Sequence, residues 1–333
     1  MLFLAIYNWG RVCFANFQFK PVPNCKKGDR METILEYLQK NIAIEIYQYL
    51  KESKDEIEEI RLRAIKPIVL KTSQSNKILE HIVTIEEILQ TFEKVCENSV
   101  YSYKRQICEG FITIKNGHRV GITGNCAFEN GQVININYIS SLNFRIAREK
   151  KGCANALLQY VVDRNTDDIF NTLIVSKPGC GKTTILRDLI RIISNNGKTC
   201  GVVDERGEIA AMSKGIPQND VGILTDVLEN VSKAKGMSML VRSMAPEVIA
   251  CDEIGSLEDI DAINYAVCSG VKGIFTAHGG NLDELLLNPQ IADLLQKFII
   301  ERIIFLSTYQ KGEIGEVYYL NKEEKKYIEK YKI

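Results

Sequence analysis

Apolar and polar positions follow a helical period near the beginning of the chain and a strand period soon after it. Apolar residues recur at helical spacing over residues 31–50, which predicts an amphipathic helix. Residues 57–63 alternate instead, as a half-buried strand does, and the apolar run after Pro67 indicates its partner. Helical spacing returns over residues 84–97, and we expect a region of short strands from Gly110.

Two Asn-Gly pairs lie between alternating segments, at Asn116-Gly117 and Asn130-Gly131. This combination is the strongest short-range signal for a tight β-hairpin, because both turn residues tolerate a positive φ. Residues 31–150 are therefore predicted to form a small α+β domain with a connector at its end. Nothing in the spacing of its charged residues indicates catalysis.

The second half of the chain has the pattern of an α/β domain over residues 151–333. Short apolar runs predict buried strands over residues 172–175, 199–203, 248–251 and 273–276. A helix is expected over residues 185–193, ended by Gly197. Polar residues follow the runs, at the edge where open parallel sheets bind ligands. We expect a terminal hairpin around residues 312–320 and a solvated Lys- and Glu-rich tail.

The turn after the first of these strands has the spacing of a phosphate-binding P-loop. It departs from G-x-x-x-x-G-K-[ST] because Ser176 takes the first glycine's place, which the turn tolerates if its φ is negative. Backbone N–H groups and the helix N-terminus can hold the triphosphate of ATP, with Lys182 as a mobile cation and the Thr183 hydroxyl as a ligand for Mg²⁺. The residues expected to bind nucleotide are Ser176, Lys177, Pro178, Gly179, Cys180, Gly181, Lys182, Thr183 and Thr184.

A second acidic motif follows the apolar run 248–251. Asp252 and Glu253 have the form of a Walker B segment, in which Asp252 can hold Mg²⁺ through water and Glu253 can orient and deprotonate the attacking water. A P-loop alone indicates nucleotide binding. Its combination with two carboxylates at a strand end indicates hydrolysis.

Other candidates are less specific. Glu205 lies in Asp204-Glu205-Arg206 and either adds a carboxylate near the metal or ends a strand in solvated charge. His278, between small residues, is either a sensor of the γ-phosphate or a structural histidine. Candidates to stabilise charge on the transferred phosphoryl group are the arginines at 145, 148, 206 and 242.

Composition narrows the choice of partners. The chain has 42 basic and 42 acidic residues, which argues against a dedicated nucleic-acid-binding protein, so no nucleic-acid partner is expected. Its ten cysteines include no C-x-x-C pair. We therefore expect them to be reduced thiols, as in cytosolic proteins. Residues 1–19 are rich in apolar side chains but lack a basic start and are interrupted by Trp9-Gly10-Arg11. We therefore expect residues 1–30 to be a non-native or disordered extension upstream of Met31.

Several blocks together resemble the stage III sporulation protein AA family over most of residues 31–320. These blocks are residues 57–63, 110–124, 141–149, 176–188, 203–210, 217–222 and 242–254. That family is in turn similar to the ATPases of type II and type IV secretion systems. Their Asp-box, Walker B segment and His-box correspond in order to residues 203–208, 242–254 and 276–279, which supports functional roles for Glu205 and His278.

The resemblance implies a RecA-like P-loop NTPase core with a smaller N-terminal α+β domain. It implies a ring-forming ATPase, expected to be a hexamer, that uses ATP and Mg²⁺. Such a protein would be peripheral at the mother-cell cytoplasmic side of the membrane, attached to membrane proteins of a channel complex between mother cell and forespore. Arg145 or Arg148 would act across a subunit boundary.

Two other functions are compatible with the motifs. One is a nucleic-acid motor of RecA or helicase type, which a basic channel would support. The other is a nucleotide-gated scaffold with little turnover, which the serine at position 176 leaves open.

Overall fold

The computed structural model of the protein describes residues 27–53, 55–308, 310 and 312–332. The expectation for residues 1–30 lies outside the described residues except at 27–30, where the first helix begins. The elements of the N-terminal domain are α1 (Lys27–Tyr37), α2 (Lys40–Glu52), β1 (Ile57–Arg63), β2 (Lys66–Thr72), β3 (Asn76–Val83), α3 (Ile85–Val95), α4 (Lys104–Cys108), β4 (Phe111–Thr113), β5 (Arg119–Glu129) and β6 (Gln132–Arg145).

The single helix expected over residues 31–50 is two helices. The chain is extended at Gln39, with φ −72° and ψ 152°. Leu38, just before the break, is 2% exposed and packs in the domain core, and its carbonyl accepts a hydrogen bond from Lys94 Nζ at 2.9 Å. The prediction of one helix was wrong because a partner from α3 satisfies the backbone at the break, which a helical period cannot reveal.

The N-terminal domain contains one antiparallel sheet in the order β3-β2-β1-β6-β5-β4. Strand β1 and its partner β2 confirm the two predicted strands. Of the strands after Gly110, β4 is short, with three residues, whereas β5 and β6 are longer than expected, with 11 and 14 residues. Asn130 and Gly131 have φ values of 50° and 76° and form the two-residue turn between them, which confirms that hairpin.

The other Asn-Gly pair forms a hairpin with a longer loop. Strands β4 and β5 are antiparallel, and a helical turn at Lys115–Gly117 joins them. Asn116 and Gly117 have φ values of 63° and 73°. A Cβ on Gly117 would lie 3.3 Å from Asn219 Oδ1, so glycine also allows this loop to approach the C-terminal domain.

The C-terminal domain alternates strands and helices, as an α/β fold requires. Its elements are α5 (Leu158–Val161), β7 (Thr172–Ser176), α6 (Lys182–Asn195), β8 (Cys200–Asp204), β9 (Thr225–Glu229), α7 (Lys233–Ser243), β10 (Val248–Cys251), α8 (Leu257–Cys268), β11 (Lys272–His278), α9 (Leu282–Leu286), α10 (Pro289–Gln296), β12 (Arg302–Leu306), β13 (Ile314–Asn321) and β14 (Lys326–Lys332).

The second sheet has the order β14-β13-β12-β7-β11-β10-β8-β9. The pairs from β12 to β9 are parallel, and the four predicted buried strands are confirmed within it. Successive residues of β7 point to opposite faces: Ile174 packs in the cluster that includes α6, whereas Leu173 and Val175 pack with α7, α8 and α10. Helices therefore cover both faces of the sheet, as parallel sheets require.

The antiparallel strands β12 and β13 form the hairpin expected around residues 312–320, but a further strand follows them. Residues 326–332 form β14 and pair with β13, whereas we expected a solvated tail there. The Tyr327 hydroxyl donates to the carbonyl of Ile300 at 2.8 Å, and its ring packs against the core. The turn residues 322–325 before it are exposed, and so are Lys326 and Glu329 of the strand itself. None of the helices in the described ranges is long and apolar enough to cross a bilayer.

Hydrogen bonds connect the two domains close to the carboxyl end of β8. The Arg119 guanidinium, on β5, donates to the carbonyl oxygens of Arg206 at 2.9 Å and Gly207 at 2.8 Å. At the connector, the backbone N–H of Asp220 donates to Glu149 Oε1 at 2.6 Å. The N-terminal domain thus contacts directly the loop in which the sequence placed Glu205.

Candidate active site

The P-loop connects the carboxyl end of β7 to the N-terminus of α6. Gly179 and Gly181 have φ values of 80° and 97°, in the left-handed region that favours glycine. Lys177, Pro178 and Gly179 are exposed, so the loop presents its backbone outward. The 14-residue helix α6 then directs its unpaired N–H groups toward the same place, which suits an anionic phosphate.

Ser176 fits the P-loop in the way the sequence required. It is buried at the end of β7 and is not among the residues with positive φ. Its hydroxyl donates to the carbonyl oxygen of Lys177 at 3.0 Å, within the turn itself. The glycine expected at this position is therefore not needed for the backbone conformation.

Lys182 lies beneath the loop and is only 5% exposed. Its ammonium donates to the carbonyl oxygen of Ser176 at 3.0 Å and lies 3.1 Å from Nδ1 of His278. Burial lowers the pKa of Lys182, while the nearby carboxylates of Asp252 and Glu253 act in the opposite direction. With Nδ1 accepting from the ammonium, the neutral His278 ring carries its proton on Nε2.

Asp252 lies directly after β10, with its carboxylate next to the P-loop helix. The Thr183 hydroxyl, in the first turn of α6, donates to Asp252 Oδ2. A hydroxyl and a carboxylate in contact supply the hard oxygen donors that suit Mg²⁺, which is usually held by one or two protein ligands together with phosphate oxygens and water. Both predicted metal ligands thus lie together, and their chemistry fits that ion.

Glu253 has two ionic partners within the site. Its Oε1 lies 3.0 Å from Nε2 of His278, and its Oε2 pairs with Arg206 Nη1 at 2.6 Å. Because Nδ1 of His278 contacts Lys182, a continuous series of polar contacts links the P-loop lysine to the carboxylate predicted to activate water.

The loop after β8 carries Glu205 and Arg206 on a fixed backbone. Buried Asp204 accepts hydrogen bonds from the N–H groups of Glu208, Ile209 and Ala210, at 2.8, 3.0 and 2.8 Å. Exposed Glu205 forms an ion pair with Lys233, at the start of α7. One cleft is lined by residues of this loop and of the acidic motif, namely Asp204, Glu205, Arg206, Glu208, Lys233, Asp252 and Glu253.

The predicted arginines do not all lie at this cleft. Arg206 lines it, whereas Arg242 lies at the end of α7 with its guanidinium 5.8 Å from the centre of the Tyr265 ring. Arg148 Nη1 pairs with Glu56 at 3.3 Å. Arg145 is exposed at the end of β6. Within one chain, then, neither connector arginine takes part in the polar contacts around Glu253.

Sequence reasoning missed two contributors, Thr276 and Lys233. Thr276 is fully buried in β11, two residues before His278, and its hydroxyl contacts both Asp252 and Glu253. Positions two apart in a strand share a face, so the strand prediction together with His278 could have indicated it. Lys233 had no comparable signal, because its partner Glu205 is on a different element.

Comparisons with known proteins identify the family of the chain. The family model described as "Sporulation stage III, protein AA" matches residues 28–326. The chain is 37% identical over 294 residues to "Stage III sporulation protein AA" of Bacillus subtilis (strain 168), covering 86% of this chain and 95% of that protein. The chain belongs to the stage III sporulation protein AA family.

Solved structures place this family member in a wider fold group. The ATPase DotB of Legionella pneumophila is similar with a TM-score of 0.54, at 14% identity, over 85% of this chain and 82% of that one. The pilus retraction motor PilT, solved with bound ADP, has a TM-score of 0.53 at 18% identity, over 79% of this chain and 78% of that one. These likenesses and the strand order establish the fold class predicted from the sequence, a RecA-like P-loop core with a smaller N-terminal α+β domain.

Proposed function

We propose that the protein is an ATP-hydrolysing ring motor, expected to be a hexamer, that energises a secretion-like complex between mother cell and forespore. The proposal combines membership of the sporulation family with the site's chemistry. It places the protein in the mother-cell cytoplasm, peripheral to the membrane and attached through membrane proteins of the channel.

One observation carries the enzymatic part of the proposal. Strand β11 lies between β7, which leads into the P-loop, and β10, which leads into Asp252 and Glu253. The phosphate-binding loop, the metal-binding carboxylate and the candidate base therefore lie at the same edge of one sheet, with His278 between them. A fold that only bound nucleotide would not need the candidate base.

The residues have separable tasks. The P-loop backbone and Lys182 hold the phosphates, while Thr183 and Asp252 hold Mg²⁺, which offsets negative charge on the phosphate oxygens when bound. Glu253 accepts a proton from the attacking water, and His278 orients the Glu253 carboxylate through its Nε2–H. Glu205, which lines the same cleft, is the second candidate to orient water.

The test of this function is ATP hydrolysis by the purified protein. We expect phosphate release that requires Mg²⁺ and does not rise when DNA is added. Stimulation by DNA would favour the nucleic-acid motor instead, although the equal numbers of acidic and basic residues argue against it. Nucleotide binding without turnover, alone and with membrane partner fragments, would favour a nucleotide-gated scaffold.

The proposed ring assembly and the proposed peripheral membrane attachment are each tested by a separate measurement. Native mass spectrometry with ATP should detect a closed ring, and a monomer under those conditions would contradict the ring. Membranes from sporulating cells should release the protein on washing with high salt or alkali, because the proposed attachment is through protein partners. Retention after both washes would contradict peripheral attachment.

A further inference from the structure

Thr276 occupies the central position between the two halves of the candidate active site. It is 0% exposed and lies in β11, opposite Ile174 of β7, which leads into the P-loop. On the other side β11 pairs with β10, where Cys251 faces Phe275, so the residue after Cys251 is level with Thr276. That residue is Asp252.

The Thr276 hydroxyl makes two hydrogen bonds, one as the donor and one as the acceptor. It donates to Oδ1 of Asp252, and it accepts from the backbone N–H of Glu253 at 2.9 Å. The backbone carbonyl of Thr276 in addition accepts from the N–H of Ile254 at 2.8 Å. One residue of β11 thus holds three successive residues of the turn that follows β10.

The two carboxylates need this support for different reasons. The other carboxylate oxygen of Asp252, Oδ2, accepts a hydrogen bond from the Thr183 hydroxyl. The two threonines therefore fix both oxygens, and with them the plane, of the Asp252 carboxylate. Glu253 has a φ of 51°, in the left-handed region that a residue with a side chain adopts only when its surroundings hold it there. The hydrogen bond from its N–H to Thr276 is part of that support.

We propose that Thr276 is the positioning residue that sets Asp252 and Glu253 relative to bound nucleotide, a role that rests on the proposed ATPase function. Only a small side chain with a hydroxyl can donate to one group and accept from the other in this buried place. Valine has nearly the same shape but neither capacity, so it would leave a carboxylate oxygen and an N–H without partners. The backbone at Glu253 would then be free to leave its left-handed conformation.

The experiment compares Thr276→Val with Thr276→Ser, which keeps the hydroxyl. The control is Thr172→Val, because Thr172 is equally buried in the same sheet but donates to the carbonyl of Phe170, at the opposite end of β7. We expect Thr276→Val to lower kcat by about 10–100-fold, the usual effect of losing a residue that orients an active-site ligand, and to raise KM for ATP in Mg²⁺, because the Asp252 carboxylate is no longer held in place for the metal. Thr276→Ser and Thr172→Val should stay within about threefold of the parent.

A binding measurement separates this role from the ATPase activity itself. Affinity for a fluorescent ADP analogue is measured with Mg²⁺ and with EDTA. Thr276→Val should lose the gain in affinity that Mg²⁺ gives and keep the affinity measured in EDTA, because the P-loop is intact. If the parent protein does not turn over ATP, the proposed function fails, yet this comparison still tests Thr276.

Two results would overturn the inference. One is a folded Thr276→Val protein with parental kcat and parental response to Mg²⁺. The other is a Thr276→Ser protein as impaired as Thr276→Val, since bulk rather than the hydroxyl would then matter. If Thr276→Val does not fold, Thr276→Ala takes its place in both measurements, and thermal melts establish that each variant is folded.

Discussion

Lys182 and His278 are hydrogen-bonded through Nζ and Nδ1, 3.1 Å apart, which ties the P-loop helix to the neighbouring strand β11. The same imidazole contacts Glu253 through Nε2 at 3.0 Å. A phosphate group in the P-loop would compete with His278 for the Lys182 ammonium. Occupation of the loop would therefore alter the hydrogen bonding of the histidine that orients the candidate base.

The first prediction separates binding from turnover. Lys182→Ala should weaken ATP binding by at least about tenfold, because a hydrogen bond to a charged group contributes about 1.5–3 kcal/mol. Glu253→Gln should bind ATP normally and lose about 10²–10⁴-fold in kcat, the usual contribution of a general base. Calorimetric titration and phosphate release measure the two effects. If Glu253→Gln turns over at the parental rate, Glu205 becomes the preferred base.

The second prediction concerns the ion pair between Arg206 and Glu253. Their side chains are 66% and 27% exposed. An ion pair of this kind contributes at most about 1 kcal/mol, which corresponds to about fivefold in rate. Because the pair occupies an oxygen that must accept a proton from water, Arg206→Gln should raise kcat by up to about fivefold. A fall of tenfold or more would instead assign Arg206 to the transferred phosphoryl charge.

The Arg206 variant has a natural control in the N-terminal domain. Lys214 and Glu97 form an ion pair between the domains that involves neither Arg206 nor Glu253, although Lys214 lies further along the same connection from β8 to β9. Glu97→Gln breaks this contact and should leave kcat unchanged. A rise in kcat in both variants would indicate a general loosening of the domain interface rather than release of Glu253.

Parts of this site follow from the sequence and parts do not. The P-loop and the Asp252-Glu253 motif were predictable because each is a local pattern in which a buried strand ends in residues of a specific chemistry. The contacts of Arg206 and Thr276 were not, since they join elements that are distant in the chain and depend on the order of strands in the sheet. The break at Gln39 and the strand β14 were missed for a related reason, because tertiary partners at Lys94 and Ile300 stabilise them.

The third prediction addresses the serine in the P-loop. Since Ser176 does not require a positive φ, Ser176→Gly should change ATP affinity by little more than about 1 kcal/mol, the scale of glycine's backbone entropy. Titration of both proteins with ATP measures the change. A much larger gain for the glycine variant would mean that serine hinders the loop from accepting phosphate.

The fourth prediction is a pH dependence of stability at the domain interface. Burial raises the pKa of Glu229 from 4.5 to about 6, and Asp204 adds to the rise, while the Met212 N–H and Arg119 act against it. A raised carboxyl pKa means that folding favours the protonated form. The contribution of Glu229 to stability is thus present below pH 4.5 and is lost as the pH rises through about 6.

Glu229→Gln should therefore gain stability relative to the parent between pH 5 and pH 8, by roughly 1 kcal/mol after allowing for solvent screening of a partly exposed group. Glutamine keeps an acceptor for the Met212 N–H, so the hydrogen bond at 2.9 Å can persist. Denaturant unfolding at the two pH values measures the difference. The exposed Glu80→Gln serves as the control, and an equal response in both variants would contradict the assignment.

The last prediction is that a connector arginine acts on the nucleotide of a neighbouring subunit. Arg148 Nη1 is held by Glu56 at 3.3 Å and Nη2 donates to the Ile57 carbonyl at 3.2 Å, which is the intradomain alternative to a role in trans. Arg145 is exposed, and its guanidinium has no ion pair or hydrogen bond within the described part of the chain. These contacts favour Arg145 for the role in trans, because its guanidinium does not have to break a contact within its own chain to reach a neighbouring subunit.

Complementation in vitro can decide between the two arginines. Inactive Glu253→Gln subunits are mixed with Arg145→Ala subunits, and separately with Arg148→Ala subunits, and co-assembly is verified by native mass. If an arginine acts in trans, some interfaces of the mixed ring pair an intact arginine with an intact Glu253, so ATP hydrolysis reappears. A guanidinium supplied in this way would bridge two subunits through the bound phosphates by charge-assisted hydrogen bonds, and ATP would then promote ring assembly. We expect recovery in the Arg145→Ala mixture; co-assembled rings that remain inactive in both mixtures would rule out the role in trans.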